Sequence, residues 1–337
     1  MAWSNSESNV YLIAEIGGNH EGDFEYAKRL TELACASGAD AVKFQIYTGD
    51  SLVSKVENPV RNEHFKKFEL EPEQHIELAK ICQSHGVEYN ASVWDMSALD
   101  WIDPYLSFYK IGSGDFTAYP VLQEIVAKKK PILLSTGLST LDEIKDTVNY
   151  IIGLDDRYAK PENLAILQCT SMYPIPASEA NLDVMLSYRS EFDAEIGYSD
   201  HTEGSFAVET AISMGAKIIE FHFTDTREGK EFRDHKVSFT KEEVQKLKAH
   251  IDKVYELKGS SIKEPTKSEL EASHLNTFRR AVYLSQNLSA GEVISKDQLT
   301  VLRPNVGIDA REFDQVIGKK LVVDKQAFAK LDWSDFE

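Results

Sequence analysis

The sequence predicts a (β/α)8 barrel followed by a small C-terminal domain. Eight short apolar runs, bounded by Gly, Asp, Ser or Asn, recur through the first 258 of the 337 residues, as buried parallel strands do. They cover residues 11–17, 41–47, 88–94, 108–112, 131–136, 164–169, 194–197 and 217–223. Amphipathic patterns lie between them at 24–37, 73–84, 141–152 and 205–214, and a last one covers 241–257. Eight strand–helix units in about 250 residues is the number that a barrel needs.

An open, doubly wound parallel sheet is the alternative fold for such a pattern. That fold usually carries G-x-G-x-x-G after its first strand. Here the first predicted strand runs into Glu15-Ile-Gly-Gly-Asn-His20, which lacks that spacing. The sequence therefore favours the closed barrel.

The chain divides into a barrel domain at 1–258, a linker at 259–276 and a second domain at 277–337. Residues 259–276 combine Gly, Ser, Pro and charged residues without an apolar period, which is typical of a linker. The second domain has about 60 residues, close to the lower limit for an independent core. We expect it to dock on a larger surface.

The charge balance restricts the function classes. Lys and Arg number 37 and Asp and Glu number 55, a formal net charge of −18. A chain this acidic has no general attraction for nucleic acid or for anionic membrane surfaces. No apolar run reaches the roughly 18 residues of a membrane span, and residues 1–9 lack the apolar core of a secretory signal. Three cysteines without a C-x-x-C pair predict reduced thiols in a cytoplasmic protein.

Polar residues concentrate where the predicted strands end. Barrel enzymes carry their chemistry at the C-terminal ends of the strands, and charges there are costly unless they are paired or bind a ligand. A single strand lysine is more often a structural ion pair, and a single histidine a satisfied polar group. The argument for a site is that many such residues meet at one face: Glu15, Lys43, Gln45, Lys110, Ser113, Thr136, Thr170, Ser171, Tyr173, Ser199, His201, Glu220 and His222.

The spacing of these residues suggests an anion site beside a metal site. Lys43 and Gln45 share one face of their strand by alternation. Two lysines and several hydroxyl groups suit an anion that carries a phosphate and a carboxylate. His201 and His222 follow neighbouring strands, about 4.8 Å apart, and could share one divalent metal. His235 is an alternative ligand on a loop. These residues alone do not name the reaction.

Sequence motifs along nearly the whole chain resemble the sialic acid synthase family, which comprises N-acetylneuraminate synthase and its legionaminate and pseudaminate relatives. The tail from Arg279-Arg280 to Gly307 is similar to the antifreeze-like (SAF) domain that ends these synthases. The barrel motifs are Glu15–Gly22, Val42–Gln45, Lys110–Asp115, Leu134–Ser139, Cys169–Pro174, Gly197–Thr202, Ile219–Thr224 and Asp234-His235.

The resemblance implies a condensing enzyme. Its substrates would be phosphoenolpyruvate and an open-chain, N-acetylated mannose-type sugar, either N-acetylmannosamine or a diacetamido-trideoxyhexose. The products would be a nine-carbon 2-keto acid and phosphate. A synthase that acts on a sugar phosphate, on the same barrel, is one alternative, and a non-catalytic sugar-binding protein is another.

The resemblance also implies residue roles. The residues implied to hold phosphoenolpyruvate are Lys43, Lys110, Ser113, Ser171 and Ser199. His201 and His222 would bind Mn²⁺ or Mg²⁺. The residues implied to face the sugar and the reacting carbons are Glu15, Gln45, Tyr173, Glu220 and Asp234. Asp115, Thr136 and Thr170 are further candidates for substrate binding. In a domain-swapped homodimer, Arg303 of one subunit would reach the N-acetyl group of a sugar bound to the other.

The chain departs from the common family pattern at a few positions. Trp94 stands where Phe is common, Phe221 where a basic residue is common, and Phe232-Arg233 where many members have Gly-Pro. Asn62, within 48–72, is a weak candidate for sugar contact. These departures concern the identity of the sugar more than the reaction.

Overall fold

The computed structural model describes Trp3 and residues 9–337, which form two compact units, Met1–Gly259 and Ser260–Glu337. The N-terminal residues on which the expectation of no secretory signal rests lie, except for Trp3 and Asn9, outside the described residues. No helix in the described part of the chain is long and apolar enough to cross a bilayer.

The first unit is a closed barrel of eight parallel strands, which confirms the predicted fold. Each strand pairs with its neighbours in the sequence, and β1 pairs with β8 to close the barrel. The strands begin and end within two residues of the predicted positions. They are β1 Tyr11–Glu15, β2 Ala41–Ile46, β3 Glu88–Val93, β4 Tyr109–Ile111, β5 Ile132–Ser135, β6 Leu164–Cys169, β7 Glu195–Ser199 and β8 Ile218–His222.

Helices follow the strands on the outside of the barrel, and the five predicted ones are confirmed. Side-chain caps fix where several begin: Asp23 accepts a hydrogen bond from the Tyr26 amide, and Thr140 and Thr240 form capping boxes. The helices are α1 Phe24–Cys35, α2 Gly49–Leu52, α3 Pro59–Lys66, α4 Pro72–Ser84, α5 Leu99–Ile102, α6 Tyr119–Ala127, α7 Leu141–Leu154, α8 Val184–Glu191, α9 Phe206–Ser213 and α10 Lys241–Lys258.

Strand alternation separates two apolar layers. In β1, Leu12 and Ala14 face the helices, whereas Tyr11 and Ile13 fill the barrel interior. The interior layer is fully packed with large side chains and is closed at its N-terminal end by Trp3, which stacks edge-on against Phe108. The barrel therefore has a dry floor, and a substrate can enter only from the C-terminal ends of the strands.

The second unit is a small domain with an antiparallel pair of strands and its own core. It contains α11 Lys267–Glu271, α12 His274–Thr277, β9 Ala281–Leu284, β10 Leu299–Leu302 and α13 Phe313–Val316. Helix α11 and the start of α12 fall within the predicted linker. The core comprises Val282, Leu284, Leu288, Ile294, Leu299, Ile308, Val316, Leu321 and Leu331.

Candidate active site

A layer of four buried charges lies directly above the apolar floor. Lys43 of β2 lies between two carboxylates, with its Nζ 2.7 Å from Glu15 Oε2 and 3.7 Å from Glu220 Oε2. Lys110 of β4 places its Nζ 3.3 Å from Glu220 Oε1. All four side chains are no more than 8% exposed. Such burial is tolerable only because each charge has an opposite partner.

The two carboxylates of this charged layer have opposite pKa shifts. Burial raises the pKa of Glu15 to about 7, since Lys43 only partly offsets the lost hydration and the Glu220 charge adds to the rise. Burial also raises the pKa of Glu220, but Lys110 and Lys43 together outweigh it and bring the value to about 2. Near neutral pH, Glu220 is thus a fixed anion, whereas Glu15 can gain or lose a proton.

The two lysines by themselves do not give the barrel opening a net positive charge. Glu15 and Glu220 neutralise Lys43 and Lys110 when both carboxylates are ionised. An arriving anion therefore meets a balanced layer. Protonation of Glu15, or a further cation, is needed to make the site net positive.

Two histidines lie beside the charged layer with their rings tilted by 59° to one another. The ring centroids of His201 and His222 are 5.4 Å apart. His201 donates from Nδ1 to the Thr170 carbonyl oxygen at 2.7 Å, which leaves Nε2 as an acceptor when the imidazole is neutral. Burial lowers the pKa of His201, but Cys169 and the Thr170 carbonyl outweigh this effect and raise it above its usual value. His222 Nδ1 is buried without a hydrogen-bond partner among the described residues. Burial, followed by the nearby His201, lowers the pKa of His222 well below its usual range, so its imidazole is neutral.

This pair fits a divalent ion that is held by few protein ligands. Neutral imidazoles are metal ligands, and an unpaired buried nitrogen calls for a partner. No group of three or more His, Cys, Asp or Glu side chains converges on a metal position within the described residues. Water or substrate oxygens would therefore complete the coordination.

Tyr173, Asp234 and Arg233 form the upper wall of the site. The Tyr173 ring lies 4.0 Å from the His201 ring and 5.4 Å from the His222 ring, measured between centroids. Asp234 places Oδ2 3.9 Å from His222 Nδ1, and burial raises the pKa of its carboxyl group. The Arg233 guanidinium stacks on Tyr173, with Cζ 4.7 Å from the ring centroid.

Hydroxyl groups from two loops meet at Gly137. The Gly137 amide donates to Ser113 Oγ at 3.0 Å. A methyl group at Gly137 would lie 2.7 Å from Ser113 Oγ and would also collide with Ser171 Oγ. Two of the predicted phosphate-binding serines are thus brought together around a backbone amide. Sequence reasoning missed Gly137 as a site residue, although it directly follows Thr136 at the end of β5.

The other predicted residues divide into two groups. Gln45 donates to Glu15 Oε1 at 2.8 Å, and Ser199 donates to Glu220 Oε1 at 3.1 Å, so both orient the charged layer. The Thr136 and Thr170 hydroxyls instead donate to the carbonyl oxygens of Leu167 and Glu179.

Asp115 lies on the turn Ser113–Asp115 after β4. Burial raises the pKa of its carboxyl group to about 6, an effect that Lys110 partly offsets. Asp115 can therefore exchange a proton near neutral pH, as Glu15 can.

Two weaker candidates have structural partners. Asn62 donates to the carbonyl oxygens of Gly49 and Val53, which ties α3 to α2. Both ring nitrogens of His235 have partners, Thr224 Oγ1 at 2.7 Å and Glu21 Oε1 at 3.2 Å, so His222 is the better metal ligand. Arg303 belongs to the second unit, where it stacks on Phe278.

Two further site residues escaped the sequence reasoning. Ser92 of β3 accepts from Lys43 Nζ at 3.4 Å and pairs in register with Lys110. Tyr47, at the end of β2, stacks on Trp94 with ring centroids 5.5 Å apart. The period-two alternation in β3 could have identified Ser92, but the partners of Tyr47 come from strands and loops distant in sequence.

Paired lysines, an exchangeable glutamate and two neighbouring histidines at the C-terminal end of a closed barrel are typical of the active site of a barrel enzyme. Residues 30–263 match the NeuB family, and residues 279–337 match the SAF domain. The chain belongs to the NeuB family.

Named relatives cover almost the full length of the chain. The N,N'-diacetyllegionaminic acid synthase of Legionella pneumophila is 35% identical, over 98% of this chain and 96% of that protein. The human N-acetylneuraminate-9-phosphate synthase is 29% identical, over 95% of this chain and 91% of that protein. The crystal structure of the sialic acid synthetase of Leptospira borgpetersenii, in complex with citrate, is 28% identical, covers 79% of this chain and 90% of that one, and has a TM-score of 0.72.

Replacing Gly137 with alanine tests whether Ser113 and Ser171, the two serines beside it, bind phosphate. The added methyl group must displace Ser113 and Ser171, so we expect the affinity for phosphoenolpyruvate to fall about tenfold or more, the value of one or two lost hydrogen bonds. Titration calorimetry measures this affinity. Gly114→Ala is the matched control, because no atom lies within 4 Å of its new methyl group. Equal affinities for the two variants would contradict a role of Ser113 and Ser171 in binding phosphoenolpyruvate.

The raised pKa of Glu15 predicts a pH-dependent affinity for anions. Above about pH 7 the carboxyl loses its proton and adds a negative charge beside the ligand. Binding of phosphoenolpyruvate is therefore accompanied by proton uptake and weakens as the pH rises through that value. In Glu15→Gln the pH dependence that comes from residue 15 should disappear. The ionisation of phosphoenolpyruvate itself affects the wild type and the variant equally. Calorimetric titrations from about pH 6 to about pH 8.5 check this, and parallel curves would refute it.

Proposed function

We propose that this protein condenses phosphoenolpyruvate with an N-acetylated mannose-type aldose to give a nonulosonic acid and phosphate. The observation that carries the proposal is the buried Lys43–Glu220–Lys110 arrangement next to the His201–His222 pair. Membership of the NeuB family supports it, since its named relatives are legionaminic, pseudaminic and neuraminic acid synthases.

The lysines and serines bind phosphoenolpyruvate in this proposal. Lys43 and Lys110 contact its carboxylate and phosphate oxygens, and Glu220 holds both ammonium groups in position. The Ser113 and Ser171 hydroxyls supply further donors for the phosphate, and the Gly137 amide orients Ser113 by donating to its Oγ. Fixed donors of this kind stabilise charge as it moves without reorganising during the reaction.

His201 and His222 would hold the divalent metal, Mn²⁺ or Mg²⁺. When bound, such an ion acts as a Lewis acid that polarises the sugar aldehyde. Tyr173 packs against both imidazoles and keeps their rings in place. The apolar floor confines the reaction to the space above the charged layer.

The reaction forms one carbon–carbon bond and one carbon–oxygen bond from water, and it breaks the carbon–oxygen bond between carbon 2 and the phosphate. Carbon 3 of phosphoenolpyruvate attacks the aldehyde carbon, water adds at carbon 2, and phosphate leaves. Glu15 is the group best suited to move a proton, because its pKa of about 7 lies near neutral pH. Glu220 stays ionised and acts by orienting the lysines. Asp234 would face the sugar beside His222.

The second domain completes the site in a domain-swapped homodimer. Its small size favours docking on a larger surface, and Arg303 carries a side chain suited to the carbonyl of an N-acetyl group. We place the protein in the cytoplasm, a compartment consistent with its three free, buried cysteines.

Turnover and metal dependence test the proposed function directly. Purified protein with Mn²⁺, phosphoenolpyruvate and N-acetylmannosamine, its 6-phosphate or a diacetamido-trideoxyhexose should release phosphate and form a 2-keto acid with one of the sugars. Removing the metal with a chelator should abolish turnover, and adding it back should restore it. Phosphate release and periodate-reactive product are measured together.

His222→Ala should lose metal-dependent turnover and bind Mn²⁺ at least tenfold more weakly, measured by electron paramagnetic resonance. His235→Ala serves as the control, because its imidazole bonds to Thr224 and Glu21 instead. If none of the sugars is turned over, the proposed enzymatic activity is wrong. Full activity without metal would exclude the ligand assignment.

Substituting Arg303 tests whether this residue contacts the sugar bound to the other subunit of the dimer. In Arg303→Ala the KM for the sugar should rise about tenfold or more, with that for phosphoenolpyruvate unchanged, because only the sugar loses a donor. Arg311→Ala is the matched control, since Arg311 lies in the same domain and pairs with Asp309. Mixing Arg303→Ala with a barrel-site variant should restore activity through mixed dimers. Equal changes in both KM values would argue against the role.

A further inference from the structure

Arg233 lies one aromatic layer above the histidine pair. It begins the short helical turn Arg233–Val237, which follows β8 after a loop. Its guanidinium covers one part of the Tyr173 ring, and the same ring contacts His201 and His222. Arg233 Nε donates to Asp234 Oδ1 at 3.2 Å. The side chain is 63% exposed, so its terminal nitrogens face the opening of the barrel.

The shape of the barrel determines where the rest of the sugar must go. The aldehyde has to lie at the charged layer, near the lysines and the histidines. Below that layer, Ile13, Leu133 and Ile218 are fully buried and leave no room. The carbons beyond the aldehyde must therefore extend toward solvent, on the side of the charged layer where Tyr173 and Arg233 lie.

The Arg233 side chain has unused donors. A guanidinium carries five N–H groups in a rigid fork. Its only hydrogen bond shown among the described residues uses Nε, while stacking on Tyr173 and the bond to Asp234 hold the plane in place. The terminal Nη1 and Nη2 groups are thus pre-oriented for an acceptor. A surface arginine without such bracing would lose more conformational entropy on binding.

From this geometry we infer that Arg233 is a specificity-determining residue. It recognises hydrogen-bond-accepting oxygens on the part of the sugar that lies beyond the aldehyde. An amide carbonyl and a phosphate group both supply such oxygens, and a plain hydroxyl group is a poorer partner for the fork. The inference rests on the proposed function for the choice of a sugar as ligand.

Sugar binding without phosphoenolpyruvate tests this inference independently of turnover. Full-length wild type, Arg233→Ala and Arg233→Lys are titrated by calorimetry with N-acetylmannosamine, its 6-phosphate and a diacetamido-trideoxyhexose, in the presence of Mn²⁺. We expect Arg233→Ala to weaken binding of the diacetamido-trideoxyhexose, through its second amide, or of the 6-phosphate, through its phosphate, about tenfold more than binding of N-acetylmannosamine, which lacks both groups. Arg233→Lys should recover affinity for a phosphate but little for an amide, because it keeps the charge and loses the fork.

Lys236→Ala is the matched control, since it removes one positive charge from the same turn at an exposed position. This variant should bind each of the three sugars with an affinity within about twofold of the wild-type value. Equal weakening of all three sugars by Arg233→Ala, or no weakening, would overturn the inference. Binding without turnover in the wild type would instead defeat the proposed reaction and leave the comparison of variants to decide the role of Arg233. No binding of any sugar to the wild type would overturn both.

Discussion

The site depends on charges that are almost completely buried at the C-terminal end of the barrel. Lys43, Lys110, Glu15 and Glu220 lie on a packed apolar floor, so each must be neutralised by its neighbours. This requirement fixes the rotamers of four side chains from four strands. Gln45 and Ser199 complete the layer with hydrogen bonds to the two carboxylates.

Charge balance in this layer gives the two glutamates different roles. Glu220 contacts two ammonium groups and stays ionised, whereas Glu15 contacts one and has a pKa near neutrality. An anionic substrate can therefore be accommodated by proton uptake at Glu15 and by the metal proposed to bind His201 and His222, rather than by a surplus of lysines. The formal net charge of −18 does not describe this local balance.

The residues proposed for specificity and those proposed for chemistry lie at different depths of the barrel. The charged layer and the His201–His222 pair lie at the bottom of the accessible space, and Tyr173 separates them from Arg233 at the opening. Residues at the opening can change with the sugar without disturbing the charged layer. At this opening the chain departs from the common family pattern at Phe232 and Arg233.

Local periodicity in the sequence determined the eight strands, the inward direction of Lys43, Gln45, Glu220 and His222, and the polar character of the strand ends. Those features depend on neighbours two to four residues away. Only the tertiary structure decided which charges pair. Glu15 contacts Lys43 on the adjacent strand, and Glu220 contacts Lys110 on the opposite side of the barrel. The same holds for the role of Gly137, whose missing side chain makes room for serines from two other loops.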